Sequence, residues 1–537
     1  MLSKKQKGEF RSTIFRHLDG IATATTAFTL YNHSVFDYLL EHKKVSITDL
    51  SKQFNANEGY LNIALRILCS QGWLVQHIDN KKNTVIYETN EKSQTAFELV
   101  PKYEAAVNLL NHAVKYPETR SIGPDAFNAL EKVFKQFELQ FGLNDIDSNP
   151  ISFQILKHIE GVIAAPIIVL LGVNGLFHKY FMEASFRAQE YHRDPESFKK
   201  ILDFLTHLGW FIKKRETYQF TDKGLYFAKR ATAYGVTVSY LPTFVKLDEL
   251  IFGDATILKT SSPYETEKHV HREMNVWGSG GAHSTYFKVV DSIIIEIFNK
   301  PIEDQPKGIL DMGCGNGAFL QHIFEVIEHQ THRGKHLEEH PLFLVGADFN
   351  EAALRVTRAN LINADIWAKV IWGDIGNPEA LANDLKEDYN IELNDLLNVR
   401  TFLDHNRIWE QPKNPSDRVS NSTGAYTSRG ERLSNNLVED SLLEHLQKWK
   451  PYVSQFGLLI IELHTIPPTI CADNLGRTAV TAYDATHGYS DQYIVEVEVF
   501  NTIAKEAGLY QVEEYFTTFP NNELATISIN LLRGNND

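Results

Sequence analysis

Lys307–Leu320, KGILDMGCGNGAFL, is the stretch whose reading decides the fold. The apolar run Gly308-Ile309-Leu310 ends at Asp311 and breaks into Gly313-Cys314-Gly315-Asn316-Gly317, after which Phe319, Ile323 and Val326 recur at helical spacing. That pattern predicts strand, glycine turn and helix, the first turn of a doubly wound α/β fold, where glycines let a ligand approach backbone N–H groups. The spacing is G-x-G-x-G rather than G-x-G-x-x-G, and an acidic residue closes the strand. Both features suit a ligand that joins an amino acid to a nucleoside better than one carrying a pyrophosphate.

Further strands follow downstream in the order such a fold requires. Pro341–Asp348 ends in a carboxylate placed to accept hydrogen bonds from ribose hydroxyls. The histidine-rich insert before it, Glu328–His340, mixes both charge signs and reads as a solvated loop rather than a metal site. Ala368–Ile375 brings Asp374 and Ile375 to a third strand end. The fourth strand, from Asn394, is unusually polar as it leaves the sheet at His405, and the fifth, from Gly457, runs to His464. Residues 406–439, rich in Asn, Ser and Arg, read as a mobile cover or a disordered surface loop. Tyr510–Phe516 and Ala525–Leu532 supply the last two strands.

Upstream, the chain repeats itself. His17-Leu18-Asp19-Gly20 is echoed by His158-Ile159-Glu160-Gly161, and each copy continues to a helix ending in Gly-Trp, at Trp73 and Trp210, followed by a short strand pair. Each unit is a winged helix-turn-helix. Its recognition helix in the first copy, Gly59–Ser70, offers a single basic side chain, Arg66, where groove reading asks for several polar ones. A paired lid and substrate-covering element is expected instead. Between lid and core, His269–Tyr286 contains Gly278, Gly280 and Gly281, poor helix formers, and is expected to be a hinge loop or a cap over the ligand pocket. The domains then run 1–118, 119–260 and 261–537.

A chain of 537 residues has room for two to four domains. Its net charge of -15 argues against a surface that wraps nucleic acid or binds anionic lipid. Three scattered cysteines make neither a disulfide framework nor a zinc spacing. No signal peptide is evident, and the apolar stretch Val162–Leu176 reads as a buried helix. A cytoplasmic location, as monomer or homodimer, is the expectation.

Ligands of open α/β sheets bind outside the carboxyl ends of the strands, which puts His405 and His464 beside the glycine turn. Residues of these types there allow three readings: a histidine base, an imidazole-held metal, or histidines that only satisfy backbone groups. A further polar cluster, Thr481–Tyr493, contains Tyr483, His487, Tyr489 and Gln492.

Leu310–Gly317 resembles the first motif of class I S-adenosylmethionine (SAM) methyltransferases, and the two-copy lid is similar to that of small-molecule methyltransferases. Val399–Arg407, Asn275–His283 and His487–Gln492 go further. They resemble the metal-dependent C-methyltransferase domains that open polyketide synthase assembly lines of the apratoxin and saxitoxin kind, across the whole chain. The resemblance implies a Rossmann-like α/β core with SAM held by Asp311, Gly313, Gly315, Gly317, Asp348, Phe349, Asp374 and Ile375, with Trp277, Gly278, Gly280 and Arg400 also in contact. It implies a mononuclear Fe or Mn on His405, His464 and Gln492, with His487 the rival for the third position. Asp404, Arg407, Tyr483 or Tyr489 would move protons or grip a carboxylate beside His405. The substrate would be a malonyl unit on an acyl carrier protein, or a 2-oxo acid, methylated at carbon in polyketide biosynthesis. Those assembly-line domains are followed by further domains, so a chain ending at Asp537 would act as a separate protein or be one cut at a domain edge. The alternatives are a metal-free O-methyltransferase using His405 as base and a SAM-sensing winged-helix regulator.

Overall fold

A computed structural model describes residues 2–119, 121–143, 146, 148–181, 185–260, 265 and 267–534. The polar linker expected around 260–263 falls, after Thr260, outside them, as do the side chains of 281–285.

The N-terminal half is built from two interlocked copies of one unit. In the first, α1 (Lys4–Asn32) precedes β1 (Lys44–Ser46), α2 (Ile47–Phe54), α3 (Glu58–Ser70) and the wing β2 (Leu74–Asp79) and β3 (Thr84–Thr89). Ser46 caps α2 by accepting from the Asp49 N–H at 3.1 Å, and Gly72, at φ +78°, turns the chain out of α3 into the wing. The second copy repeats this with α4 (Pro150–Val173), α5 (Pro195–His207) and the hairpin β4 (Phe211–Lys214) and β5 (Thr217–Phe220). Asp194 caps α5, and Gly209, also at φ +78°, turns the chain into the hairpin.

The copies meet where α1 crosses α4. A Cβ at Gly20 would stand 2.4 Å from the His158 Cα, and one at Gly161 would stand 2.4 Å from the His17 Cα, so each glycine lets the other copy's backbone in. Each histidine is bonded by a tyrosine of the opposite copy: His17 Nδ1 to the Tyr234 hydroxyl at 2.9 Å, His158 Nδ1 to the Tyr103 hydroxyl at 2.7 Å. This reciprocity is a pseudo-twofold axis within one chain. α4 is the one described helix long and apolar enough to cross a membrane, and 89% of its apolar window is buried inside the protein.

Helix α6 (Arg272–Phe298) leads into the core, and here the expected hinge loop is corrected. Gly278 is helical, and a Cβ there would meet the Val236 nitrogen at 2.5 Å, so the helix spends its glycine on a close crossing with the lid. The core sheet comprises β6 (Gly308–Met312), β7 (Phe343–Asp348), β8 (Lys369–Trp372), β9 (Leu396–Thr401), β12 (Leu458–Leu463), β13 (Leu509–Gln511), β14 (Thr517–Phe519) and β15 (Ile527–Gly534), with the separate hairpin β10 (Tyr426–Ser428) and β11 (Glu431–Leu433) lying between β9 and β12 in sequence. The order is β13-β15-β12-β9-β6-β7-β8, with β14 beside β15; β8, β7, β6, β9 and β12 are parallel, and β15 is antiparallel to its neighbours. The order in which strands are added reverses between the parallel neighbours β6 and β9, which opens a crevice at their carboxyl ends. Helix α7 (Ala318–Gln330) follows the glycine turn and buries Phe319, Ile323 and Val326.

Residues 406–439 are not a mobile cover. Arg418 bonds Asp440 at 2.7 Å and Glu506 at 2.7 Å, and Asn80 donates to the Ser420 carbonyl at 2.8 Å. Arg432 pairs with Glu58 at 2.6 Å, and the Gly59 N–H donates to the Gly430 carbonyl at 2.8 Å. The polar side chains that suggested solvent are consumed in tying the first winged helix to helix α8 (Asn435–Val453) and the core. Helix α3 is consequently enclosed: every residue from Gly59 to Ser70 is buried, so no face of it is presented to a groove.

Candidate active site

At the end of β6 the chain turns through Gly313, Gly315 and Gly317 at φ +78°, +57° and +78°, all left-handed, and the Gly313 and Gly317 N–H groups close the turn on the carbonyls of Ala347 and Cys314, each at 2.7 Å. Beneath the turn, Asp311 is 2% exposed and its Oδ2 has no hydrogen-bond partner. Burial, reinforced by the charge of Asp348, pushes its carboxyl up to about 7. Asp348 ends β7, accepting from the Gly315 N–H at 3.0 Å and the Asn350 N–H at 2.8 Å. Burial still leaves its pKa raised. Beyond β8, Asp374 accepts from the Gly376 N–H at 2.8 Å, and Ile375 is buried with its carbonyl taking the Trp449 indole N–H at 2.8 Å. Phe349 packs against Trp372 with ring centroids 5.5 Å apart. These eight residues line three neighbouring strand ends.

Of the other residues expected at the cofactor, Trp277, Gly278 and Gly280 sit on α6 and Arg400 in the core. Trp277 packs into the lid, where a Cβ on Gly172 would touch its ring at 3.1 Å, and Gly278 serves the helix crossing. Gly280 faces open space. Arg400 is wholly buried below the crevice, bonded to Asp404 at 2.6 Å and stacked 3.9 Å from the Trp449 centroid. Its charge is used inside the core, because a guanidinium there needs a carboxylate and a ring.

On the acceptor side His405 follows β9, 5% exposed, with Nδ1 held by Glu462 Oε1 at 2.5 Å. That fixes the ring and leaves Nε2 as the nitrogen available for chemistry. His464 does not join it. The ring is fully buried with Nδ1 donating to the Val495 carbonyl at 3.0 Å and Nε2 bonded to the Ser528 hydroxyl at 2.7 Å, so both nitrogens are occupied. The imidazole beside His405 is His487, whose centroid is 5.0 Å away. It lies on α9 (Val480–Gly488), with Nδ1 donating to the Tyr483 carbonyl at 2.8 Å. Burial, and then the charge of His405, brings its pKa down to about 3. Gln492 is bound through its backbone N–H to the His487 carbonyl at 2.9 Å, and its side-chain amide donates to the Tyr240 hydroxyl at 3.3 Å.

Asp404 is 1% exposed and bonded by Arg400 and, at 2.9 Å, by His445 Nε2. Burial would raise its pKa, but these two partners outweigh it and hold the carboxyl well below the usual range. Arg407 donates to the carbonyls of Asp404 at 3.1 Å and Val438 at 3.3 Å. Both are fastenings of the insertion rather than groups facing the crevice. Tyr483 is half-buried near His487, at 6.4 Å between centroids, and burial raises its pKa. Tyr489 bonds Thr26 of α1 at 3.0 Å and belongs to the lid seam.

Sequence reasoning missed Glu462 and Tyr240. Glu462 carried a signal, a lone acid in the apolar strand Leu458–Leu463. Tyr240 carried none, since it arrives from the lid to stand 6.0 Å from the His487 ring. Among the described residues no three of His, Cys, Asp and Glu are grouped to hold a metal.

Residues 267–530 match a family model described as the AprA MT2-like domain, residues 160–254 the AprA winged helix domain, and residues 10–76 the AprA N-terminal domain. No curated protein matches. Among solved structures, the methyltransferase SibL is 14% identical with a TM-score of 0.38, over 69% of this chain and 96% of its own. The CurJ carbon methyltransferase is 12% identical with a TM-score of 0.32, over 76% and 99%. An O-methyltransferase family 2 protein from Planctomyces limnophilus, in complex with apigenin, is 11% identical with a TM-score of 0.36, over 98% and 96%.

Proposed function

Because the chain belongs to the AprA-type family of class I SAM-dependent methyltransferases, we propose that it methylates carbon, on a malonyl-type or 2-oxo acyl substrate delivered by an acyl carrier protein. The observation that carries this reading is the approach of His405 and His487, centroids 5.0 Å apart, each with Nδ1 already engaged. Paired imidazoles with anchored Nδ1 atoms have the donor chemistry of a transition-metal site, and Gln492 adds an oxygen donor. A mononuclear Fe or Mn would be held by His405, His487 and Gln492, with His464 left to its core bonds. Such a cation supplies charge stabilisation for the enolate that an acyl C–H must become before it can attack a methyl sulfonium.

The chain's own groups do the rest. Glu462 fixes the His405 tautomer, Tyr240 orients the Gln492 amide, and the burial of this cluster under the lid keeps water from the nascent carbanion. Asp311 and Asp348 offer carboxylates to the donor's ammonium and ribose.

The same Glu462–His405 pair favours a second reading, metal-free O-methylation with His405 Nε2 as base. Metal analysis of the wild type and of His405→Ala, His487→Ala and His464→Ala separates them. The favoured reading expects bound Fe or Mn to be lost in the first two variants and kept in the third. Intact-mass analysis of malonyl-loaded carrier protein with SAM then reads methyl transfer; no mass gain with metal present would remove the acyl substrate from consideration.

A further inference from the structure

Arg272 is the first residue of α6, and neither the cofactor half nor the acceptor half described above uses it. Its Nε donates to Glu267 Oε2 at 2.7 Å and its Nη2 to Glu267 Oε1. These bonds occupy one edge of the planar guanidinium. The other edge, Nη1 with the second hydrogen of Nη2, makes no hydrogen bond among the described residues. The side chain remains 41% exposed, while its charge reaches both Asp348 and Tyr240 and lowers the pKa of each against burial. Geometry puts the start of α6 on the acceptor side: the His271 N–H donates to the Ser239 carbonyl at 2.9 Å, and the His269 ring lies 6.0 Å from that of Tyr240. Asp348 marks the cofactor side, beside the glycine turn, and Tyr240 marks the acceptor side, beside His487 and Gln492.

The other charges around it make the open edge distinctive. Glu267, Asp348 and, behind it, Asp311 are acidic. His269 is held neutral, its pKa brought down to about 4 chiefly by burial, and Lys259 is paired with Asp491 at 2.7 Å. Arg400 and Arg407 are buried in bonds of their own. A guanidinium edge matches a carboxylate's two oxygens, and a second carboxylate on the opposite edge fixes its plane.

We infer that Arg272 is a carboxylate-binding residue at the junction of the cofactor and acceptor pockets, oriented by Glu267 and presenting its open edge to the anionic end of a ligand. The inference rests on the methyltransferase reading, in which two ligands bring a carboxylate: the amino-acid end of the donor and the free acid of a malonyl-type acceptor.

Calorimetric titration of the full chain distinguishes them. S-adenosylhomocysteine carries the amino-acid carboxylate, 5′-methylthioadenosine is the same nucleoside without it, and malonate stands for the acceptor. Arg272→Ala should weaken one of the two carboxylate ligands by about tenfold or more, the loss of a charge-assisted bond, with methylthioadenosine unchanged. Arg272→Lys should recover only part. Loss confined to S-adenosylhomocysteine assigns the donor; loss confined to malonate assigns the acceptor. Equal weakening of S-adenosylhomocysteine and methylthioadenosine, or no change in either carboxylate ligand, would overturn the inference while leaving the cofactor assignment standing. A wild type that binds neither nucleoside overturns both.

Discussion

Asp311 couples the cofactor pocket to pH. Its folded pKa of about 7 lies above the ordinary 3.8, so between those values the folded chain holds a proton that the unfolded chain has lost. Its contribution to stability is therefore greatest below the ordinary value and falls as pH rises toward 7. A ligand ammonium favours the ionised carboxylate, so S-adenosylhomocysteine should bind more tightly at pH 8 than at pH 6 with uptake of the ligand releasing a proton. Calorimetry in buffers of different ionisation enthalpy reads that release, and Asp311→Asn should abolish it. Glu462 works differently, through the ring it holds. Glu462→Gln should lower metal content or turnover by about 10- to 100-fold, as loss of a partner behind a ligand does, with the secondary structure unchanged by circular dichroism. At this scale the histidines that end the strands were legible, but not their bonds. His464 and His405 look alike in sequence; which nitrogens are spent depends on Ser528, Val495 and Glu462.

Among the elements, the crossing of α1 and α4 is the most demanding. Gly161→Ala would thrust a methyl to within 2.4 Å of the His17 Cα, and backbone cannot swing aside as a side chain can. A loss of about 1–3 kcal/mol or more is expected, read as a lowered urea midpoint with unchanged slope. The strands and the repeat were readable because glycine spacing and apolar period are local properties of the chain. The insertion was misread for the opposite reason. Ser420, Arg418 and Arg432 are polar, and nothing nearby announces that Asn80, Asp440 and Glu58 will meet them. Likewise Gly278 of α6 argued against a helix until a second backbone was there to fill the space it leaves.

For the molecule as a whole, Arg66 is the fastening between lid and core. Its guanidinium is 2% exposed and reaches Asp484 at 3.1 Å, Thr465 at 3.0 Å and the Ile466 carbonyl at 2.9 Å. Arg66→Met would strand the buried Asp484 carboxylate, costing about 3–5 kcal/mol. Because the damage lies at the seam, calorimetry of Arg66→Met should show lid and core melting further apart than in the wild type. The pseudo-twofold axis was foreseeable from the repeat, but its asymmetry was not. Where α3 sets Gly59, Ile63 and Arg66 against the core, the corresponding places on α5 hold Glu196, Lys200 and Asp203.

That mismatch divides the labour of the twin modules. One must close over chemistry; the other need only embrace its sibling, and its outward side is at liberty to drift. Replacing Lys200 by alanine should leave turnover intact, whereas Ile63→Lys should extinguish it, a contrast that a steady-state assay of both variants would expose. Duplication has thus left the chain with a spare, and a spare is where novelty accumulates without jeopardising the reaction.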